Sequence, residues 1–184
     1  MSNLFEGTLV RLAARRPDDI ETFARWSNDA IYRRLIDTDM ARPLAPEDVA
    51  AGPDAGESSS HSVSFRLRTL ADDTLIGFVA LFNIEWNNGA CMTAIGIGEP
   101  EYRGKGYGSD ALRLILNYAF NELNLYRVGL DVISYNTAAI RAYERAGFQH
   151  EGAMRGAVLR DGVRSDRMIM GILRDEWRAR HTSA

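Results

Sequence analysis

The residues best suited to chemistry in this chain form the run Glu99-Pro-Glu-Tyr-Arg-Gly-Lys-Gly-Tyr-Gly-Ser, between an apolar alternating stretch and a long helical pattern. Gly104, Gly106 and Gly108 carry no Cβ, so the backbone N–H groups of the turn can converge. The helix that follows adds roughly half a positive charge at the same end. Together these features predict an anion site suited to a pyrophosphate, with Arg103 and Lys105 as charge at its rim. Two nucleotide motifs can be tested against it. The pattern G-x-x-x-x-G-K-S/T is absent, which argues against a nucleoside triphosphatase. Gly106-Tyr-Gly-Ser-Asp-Ala does satisfy G-x-G-x-x-A, and Asp131 follows at about the distance of a ribose-binding acid. A dinucleotide-dependent oxidoreductase is therefore a remote alternative. Only 78 residues remain after Gly106, too few for the rest of a doubly wound sheet and a substrate domain.

Other reactive side chains are sparse. Cys91 is the only cysteine, which excludes an intramolecular disulfide and a zinc site of several thiolates, and it reads as a buried inert thiol. His61, His150 and His181 lack ligand spacing, so no metal is expected. Of the 22 basic residues 21 are Arg, and the one Lys, Lys105, lies in the glycine turn.

The elements that must position this turn follow from periodicity. Residues 8–13 alternate as a first strand, and Pro17-Asp-Asp-Ile opens a helix that turns Ile20, Phe23, Ala24 and Trp26 inward. Further short helices are expected over 29–36 and from Pro46, and the small polar stretch 51–60 is expected as a flexible loop. From Ser62 the texture is β: a hairpin of 63–68 with 75–82, then a return strand over 91–98 after Asn87-Asn-Gly. A helix over 106–123, a strand over 127–134, a helix over 136–146 ended by Gly147 and a late strand over 163–173 complete an α+β order.

Length and composition set the outer limits. The 184 residues fit one domain, and 46% hydrophobic with 26% charged residues is a globular balance. A net charge of -3 offers no broad cationic field for nucleic acid or an anionic membrane. With no apolar run near 18 residues, neither export nor a membrane span is expected, and the reading is cytoplasmic.

Two motifs in order resemble a known family. Arg103-Gly-Lys-Gly-Tyr-Gly matches the R/Q-x-x-G-x-G/A turn of GNAT N-acetyltransferases, and Asn136 to Phe148 resembles their N-x-x-A-x-x-x-Y-x-x-x-G-F. The likeness extends through Glu151-Gly-Ala-Met-Arg and Asp161-Gly to Glu176-Trp177, and Arg25-Trp-Ser-Asn-Asp is similar to the early helix of the Rim-type branch, whose acceptors are ribosomal-protein N-termini, polyamines and small amines. The resemblance implies a single domain over 1–184: a splayed, mostly antiparallel central sheet flanked by helices, with acetyl-CoA in the splay. It implies that backbone amides of Arg103, Gly104, Lys105, Gly106, Tyr107, Gly108 and Ser109 hold the pyrophosphate, and that Ile95, Gly96, Ile97 and Gly98 bond the pantetheine arm. Asn136 would contact CoA, though Asn before Thr-Ala-Ala-Ile is equally a helix N-cap. Arg145 would reach an adenosine phosphate. Tyr143, two helical turns after Asn136, would assist departure of the CoA thiolate. A homodimer is a further implication.

The implied reaction is direct attack of an amine on the thioester. At pH 7 deprotonating a lysine-like amine costs about 4.6 kcal/mol and an α-amine only about 1 kcal/mol, so a strong base is dispensable for the latter. The strand over 91–98 contains no acid, which leaves Glu85 as the nearest base, with Glu151 and water as further candidates. Trp26, Asn28, Asp29 and Arg33, with the loop near 58–61, are expected to line the acceptor pocket. A non-catalytic acyl-CoA-binding regulatory domain is the alternative from a different class.

Overall fold

In the computed structural model, which describes residues 3–52 and 59–182, the alternating stretches form one seven-stranded sheet. The strands are β1 (Val10–Ala13), β2 (Val63–Thr69), β3 (Leu75–Glu85), β4 (Ala90–Ile97), β5 (Arg127–Ile133), β6 (Gln149–Arg160) and β7 (Val163–Leu173), in the order β1-β2-β3-β4-β5-β7-β6. Every pairing is antiparallel except β4 with β5. That parallel contact runs only from Ala90 opposite Arg127 to Met92 opposite Gly129. Beyond it the two strands diverge, and the sheet opens as a V whose closed end is the β3–β4 hairpin.

The helices are α1 (Asp19–Ser27), α2 (Ala30–Ile36), α3 (Pro46–Ala51), α4 (Tyr107–Asn117), α5 (Thr137–Ala146) and α6 (Arg174–Thr182). Leu112, Ile115 and Leu116 of α4, with Ala119 and Phe120 just after it, are buried in the main core with Val79, Leu81, Val128 and Leu130. A second cluster joins Phe23, Ala24 and Trp26 of α1 to Tyr32, Val49 and Leu75. Asp19, in the first turn of α1, is buried against the Arg68 guanidinium, which fastens this helix to β2.

The structure differs from the sequence expectations at three places. The single helix expected over 106–123 ends at Asn117 and continues as a π-helical turn, Tyr118–Glu122, where Tyr118 packs edge-on against Phe65. Residues 149–160, given no element from the sequence, form the edge strand β6. Its side chains are mostly exposed and its register shifts twice against β7, so no alternation survives to be read. The terminal residues 174–182 form α6, with Trp177 packed on Phe120 at 5.4 Å. The loop expected over 51–60 falls mostly outside the described residues.

Candidate active site

Two cavities open where β4 and β5 part. The larger, about 670 Å³, runs from the glycine turn along β4 to α5. Ile95, Gly96 and Ile97 form its strand wall; Arg103, Gly104, Gly106, Gly108 and Ser109 form one end, and Asn136, Tyr143 and Arg145 come from the α5 side. The smaller, about 230 Å³, lies deeper between the strands and under α2. Ile95, Asn136 and Tyr143 belong to both, so the two spaces meet at the tyrosine.

The turn has the geometry its glycines predict. Gly104 (φ +73°) and Gly106 (φ +93°) occupy the left-handed region, and Gly106 caps α4 without help from any side chain. A Cβ on Gly104 would meet nothing within 4 Å, and one on Gly108 would touch only Ile97 at 3.9 Å. The backbone is thus bare toward the cleft at the N-terminus of an 11-residue helix, a fit for an anionic group held by N–H donors. Behind the turn, Asp110 accepts from the N–H groups of Thr8, Leu9 and Val10 at 2.8–3.1 Å and from Arg113 at 2.9 Å. Burial opposes its charge, but these donors outweigh burial and hold the carboxyl below its ordinary value. An acid in the first turn of the anion-facing helix is thereby neutralised locally and pins β1 to α4.

Arg103 is not a loose rim charge. Its guanidinium donates to the Ile97 carbonyl (2.9 Å), the Gly98 carbonyl (2.6 Å) and Asp29 (3.1 Å), fixing the end of β4 to α2. Lys105 is exposed, Tyr107 packs edge-on against Tyr102, and neither lines the cleft. Gly98 also lies outside it: its N–H donates to the Ile76 carbonyl at 2.8 Å and its Cα abuts the Trp26 ring. Asn136 is an N-cap, accepting from the Ala139 N–H at 3.2 Å, and its amide donates to the Leu35 carbonyl of α2 at 3.1 Å.

Tyr143 is buried against Phe148, ring centroids 5.8 Å apart. Burial first, and the charge of Asp131 second, push its hydroxyl up to about 12. It therefore stays protonated across the physiological range. Cys91, buried on β4, is likewise pushed up to about 12 by burial, which disfavours its thiolate.

The expected base and acceptor residues lie elsewhere. Glu85 is exposed and accepts from Asn88 at 2.6 Å in the β3–β4 hairpin, opposite Ala90, at the closed end of the V. Glu151 is also at that end, paired with Arg127, which holds its carboxyl below the usual range. Trp26 is a core residue whose indole N–H donates to Glu99 at 3.0 Å. Asn28 caps the end of α1 by donating to the Ala24 carbonyl, and Asp29 caps α2 by accepting from the Tyr32 N–H. Arg33 lies half-buried on α2 and lines neither cavity. Of the loop expected at 58–61, Ser58 lies outside the described residues. The smaller cavity is instead bounded by Asp37, Phe82, Thr93, Asp131 and Arg167, none of them singled out as acceptor residues from sequence. Among the described residues no group of three or more His, Cys, Asp and Glu is placed to hold a metal, and no helix is long and apolar enough to cross a membrane.

Comparison with known proteins gives this geometry a family. Residues 10–149 match the model of the acetyltransferase (GNAT) domain. The chain is 31% identical over 176 residues to the SPbeta prophage-derived uncharacterized N-acetyltransferase YokL of Bacillus subtilis, covering 95% of this chain and 96% of that one. It is 41% identical over 112 residues to the probable N-acetyltransferase YjcK of the same organism, a match spanning 59% of this chain and 60% of YjcK. Among solved structures, spermidine N-acetyltransferase from Vibrio cholerae in complex with CoA and spermine superposes with a TM-score of 0.82 at 24% identity, over 91% of this chain and 97% of that one. The splayed sheet, the bare glycine turn and the sequence match together show that this chain belongs to the GNAT acetyltransferase family.

Proposed function

We propose that the protein transfers the acetyl group of acetyl-CoA to a primary amine, an α-amine of a protein N-terminus, a polyamine or another small amine, by direct attack. The observation that carries this reading is the junction at Tyr143. One space ends at an anion-holding turn and runs beside a strand edge left without a sheet partner, the other leads off into a smaller polar cavity, and a neutral hydroxyl stands between them. The turn's N–H groups would hold the pyrophosphate of CoA, the free edge of β4 its pantetheine amides, and Arg145 a phosphate further out. Acetyl-CoA supplies an acyl group already activated as a thioester.

The chain's own part is positioning and charge. With a thiol reference near 8.5, full proton transfer from a phenol at about 12 is uphill, so Tyr143 acts as a hydrogen-bond donor to the charge that develops on sulfur. The amine must be neutral when it attacks. Neither Glu85 nor Glu151 is brought to the junction, so its proton leaves to solvent, which an α-amine tolerates better than a lysine-like amine. Assembly into a homodimer or larger oligomer belongs to the same reading, supported by a dodecameric structure of spermidine N-acetyltransferase from Vibrio cholerae. The test is calorimetry with CoA and NAD, followed by CoA release from acetyl-CoA with N-terminal peptides, polyamines and primary monoamines. CoA binding, no NAD binding and amine-dependent release are expected. Tight CoA binding with no release on any amine would mark a regulatory acyl-CoA binder instead.

A further inference from the structure

Resting on that reading, we propose that Asp131, pinned by Arg167, is the carboxylate that seats the acceptor's ammonium, and that the acceptor is a small amine carrying a single positive charge. Asp131 on β5 and Arg167 on β7 are diagonal neighbours on one face of the sheet, since Asp131 pairs with Ile169 and Ile133 with Arg167. The guanidinium grips both carboxylate oxygens, Nε to Oδ1 at 2.6 Å and Nη2 to Oδ2 at 2.7 Å. Each oxygen keeps a further lone pair, so the carboxylate is held in one orientation without being used up. Both side chains remain about one-third exposed or less, and both border the smaller cavity.

Position decides what this carboxylate can do. Asp131 and Tyr143 border the same cavity, and the charge of Asp131 helps raise the Tyr143 hydroxyl, so an amine resting on Asp131 shares that space with the group that would face the thioester. No other carboxylate has that relation to Tyr143 among the described residues: Asp37, on the roof, accepts from the Asp39 N–H at 3.0 Å, and Glu85 and Glu151 are at the closed end of the V.

The charge count then selects the acceptor. Asp37 and Asp131 against Arg167 leave one net negative charge among the described residues bordering the cavity. One ammonium balances it. A second ammonium a few carbons away would approach the Arg167 guanidinium on the same wall, where like charges repel. Arg160 donates to the Thr38 and Asp39 carbonyls at 2.8 Å each and so fastens the 37–39 backbone that borders the cavity.

The experiment measures acceptor and donor kinetics for the wild type, Asp131→Asn, Arg167→Gln and the double variant Asp131→Asn/Arg167→Gln, with a peptide α-amine bearing no other charge and with spermidine. Asp131→Asn should raise the acceptor KM about 10- to 100-fold with the acetyl-CoA KM unchanged. The double variant removes both charges while keeping hydrogen-bonding groups in place, and should keep the raised KM; its return to the wild-type value would make the pair structural and overturn the proposal. Wild type should prefer the singly charged amine at least about tenfold in kcat/KM, and Arg167→Gln should narrow that gap. Preference for spermidine, or an acceptor KM in Asp131→Asn within about twofold of wild type, overturns the proposal while leaving the acetyltransferase reading intact. CoA binding without turnover on any amine overturns both.

Discussion

In the larger cavity, proposed as the donor side, the groups that shape the cleft come almost entirely from two contiguous stretches, 95–109 and 136–145, with one wall lent by α2. In the smaller cavity, proposed as the acceptor side, they come from α2 and its trailing loop, β3, β4, β5, α5 and β7, and the roof is fastened by Arg160 at the far end of β6. The donor cleft is thus built by local chain geometry, a glycine turn and a capped helix. The acceptor cavity is built by sheet order, which carries β7 past β6 to lie beside β5 and so sets Arg167 against Asp131. Local construction resists change because a turn and a helix end need specific residues at fixed spacing. Construction by topology depends on contacts between residues far apart in the chain, as between Asp131 and Arg167.

The largest effect expected from breaking this division falls at the junction. Tyr143→Phe removes only the hydroxyl and keeps the ring contact with Phe148, so kcat should fall by up to about 100-fold with the CoA Kd little changed. Because burial pushes this hydroxyl up to about 12, the wild-type rate should show no loss assignable to Tyr143 below about pH 11. A kcat unchanged in the phenylalanine variant would leave the tyrosine as core packing only.

Next in size are the glycines. Gly108 has an ordinary helical φ and open space toward the cleft, so Gly108→Val should weaken CoA binding about 10- to 100-fold with a near-normal Tm. Gly106→Val should weaken binding and also lose about 1–2 kcal/mol of stability, since φ +93° suits no β-branched residue. Normal CoA binding by a folded Gly108→Val protein would displace the phosphate cradle. Arg103→Ala should act through the end of β4, lowering Tm together with affinity, because its guanidinium is committed to Ile97, Gly98 and Asp29.

These contrasts explain what could be read from the residues alone. The glycine turn and the Asn136 cap are legible in the sequence because turn and cap chemistry are local. Glu85 was a reasonable base by chain order, yet the V opens at the other end of β4, a fact set by the short Ala90–Met92 contact with β5. Trp26, Asn28 and Asp29 line neither cavity, because packing and capping engage them. Asp131 was visible only as the acid of a dinucleotide pattern. Its partner stands 36 residues further on, and the pairing that unites them follows from a register that periodicity does not encode. The available signal is Asp131, an acid set between Leu130 and Val132 in β5, while Arg167 follows Asp166 and other polar residues and does not stand out.

A smaller effect tests the borrowed roof. Arg160→Ala frees the carbonyls of 38 and 39 without touching the donor cleft, and should raise the acceptor KM about 3- to 10-fold at constant acetyl-CoA KM. Equal changes in both constants would mean that the two cavities are mechanically one.

The smallest effect on turnover lies behind the glycine turn, at Asp110. Its folded-state carboxyl sits below its unfolded value near 3.9, so the stability it contributes is present above that unfolded value and is lost as pH falls through the lower folded one. Asp110→Asn should therefore cost about 1–3 kcal/mol at neutral pH, since the N–H groups of Thr8, Leu9 and Val10 lose a charged acceptor. The gap between wild type and variant should narrow steadily below about pH 4, as the wild-type carboxyl takes up its proton. Urea melts of both proteins between pH 7 and pH 3 read this directly. A gap constant across the range would assign the loss to side-chain shape and not to charge. If the gap does close while CoA affinity at pH 7 is the same in both proteins, Asp110 fastens the donor helix to β1 without shaping the anion site, and the local character of the donor side extends no further back than the turn itself.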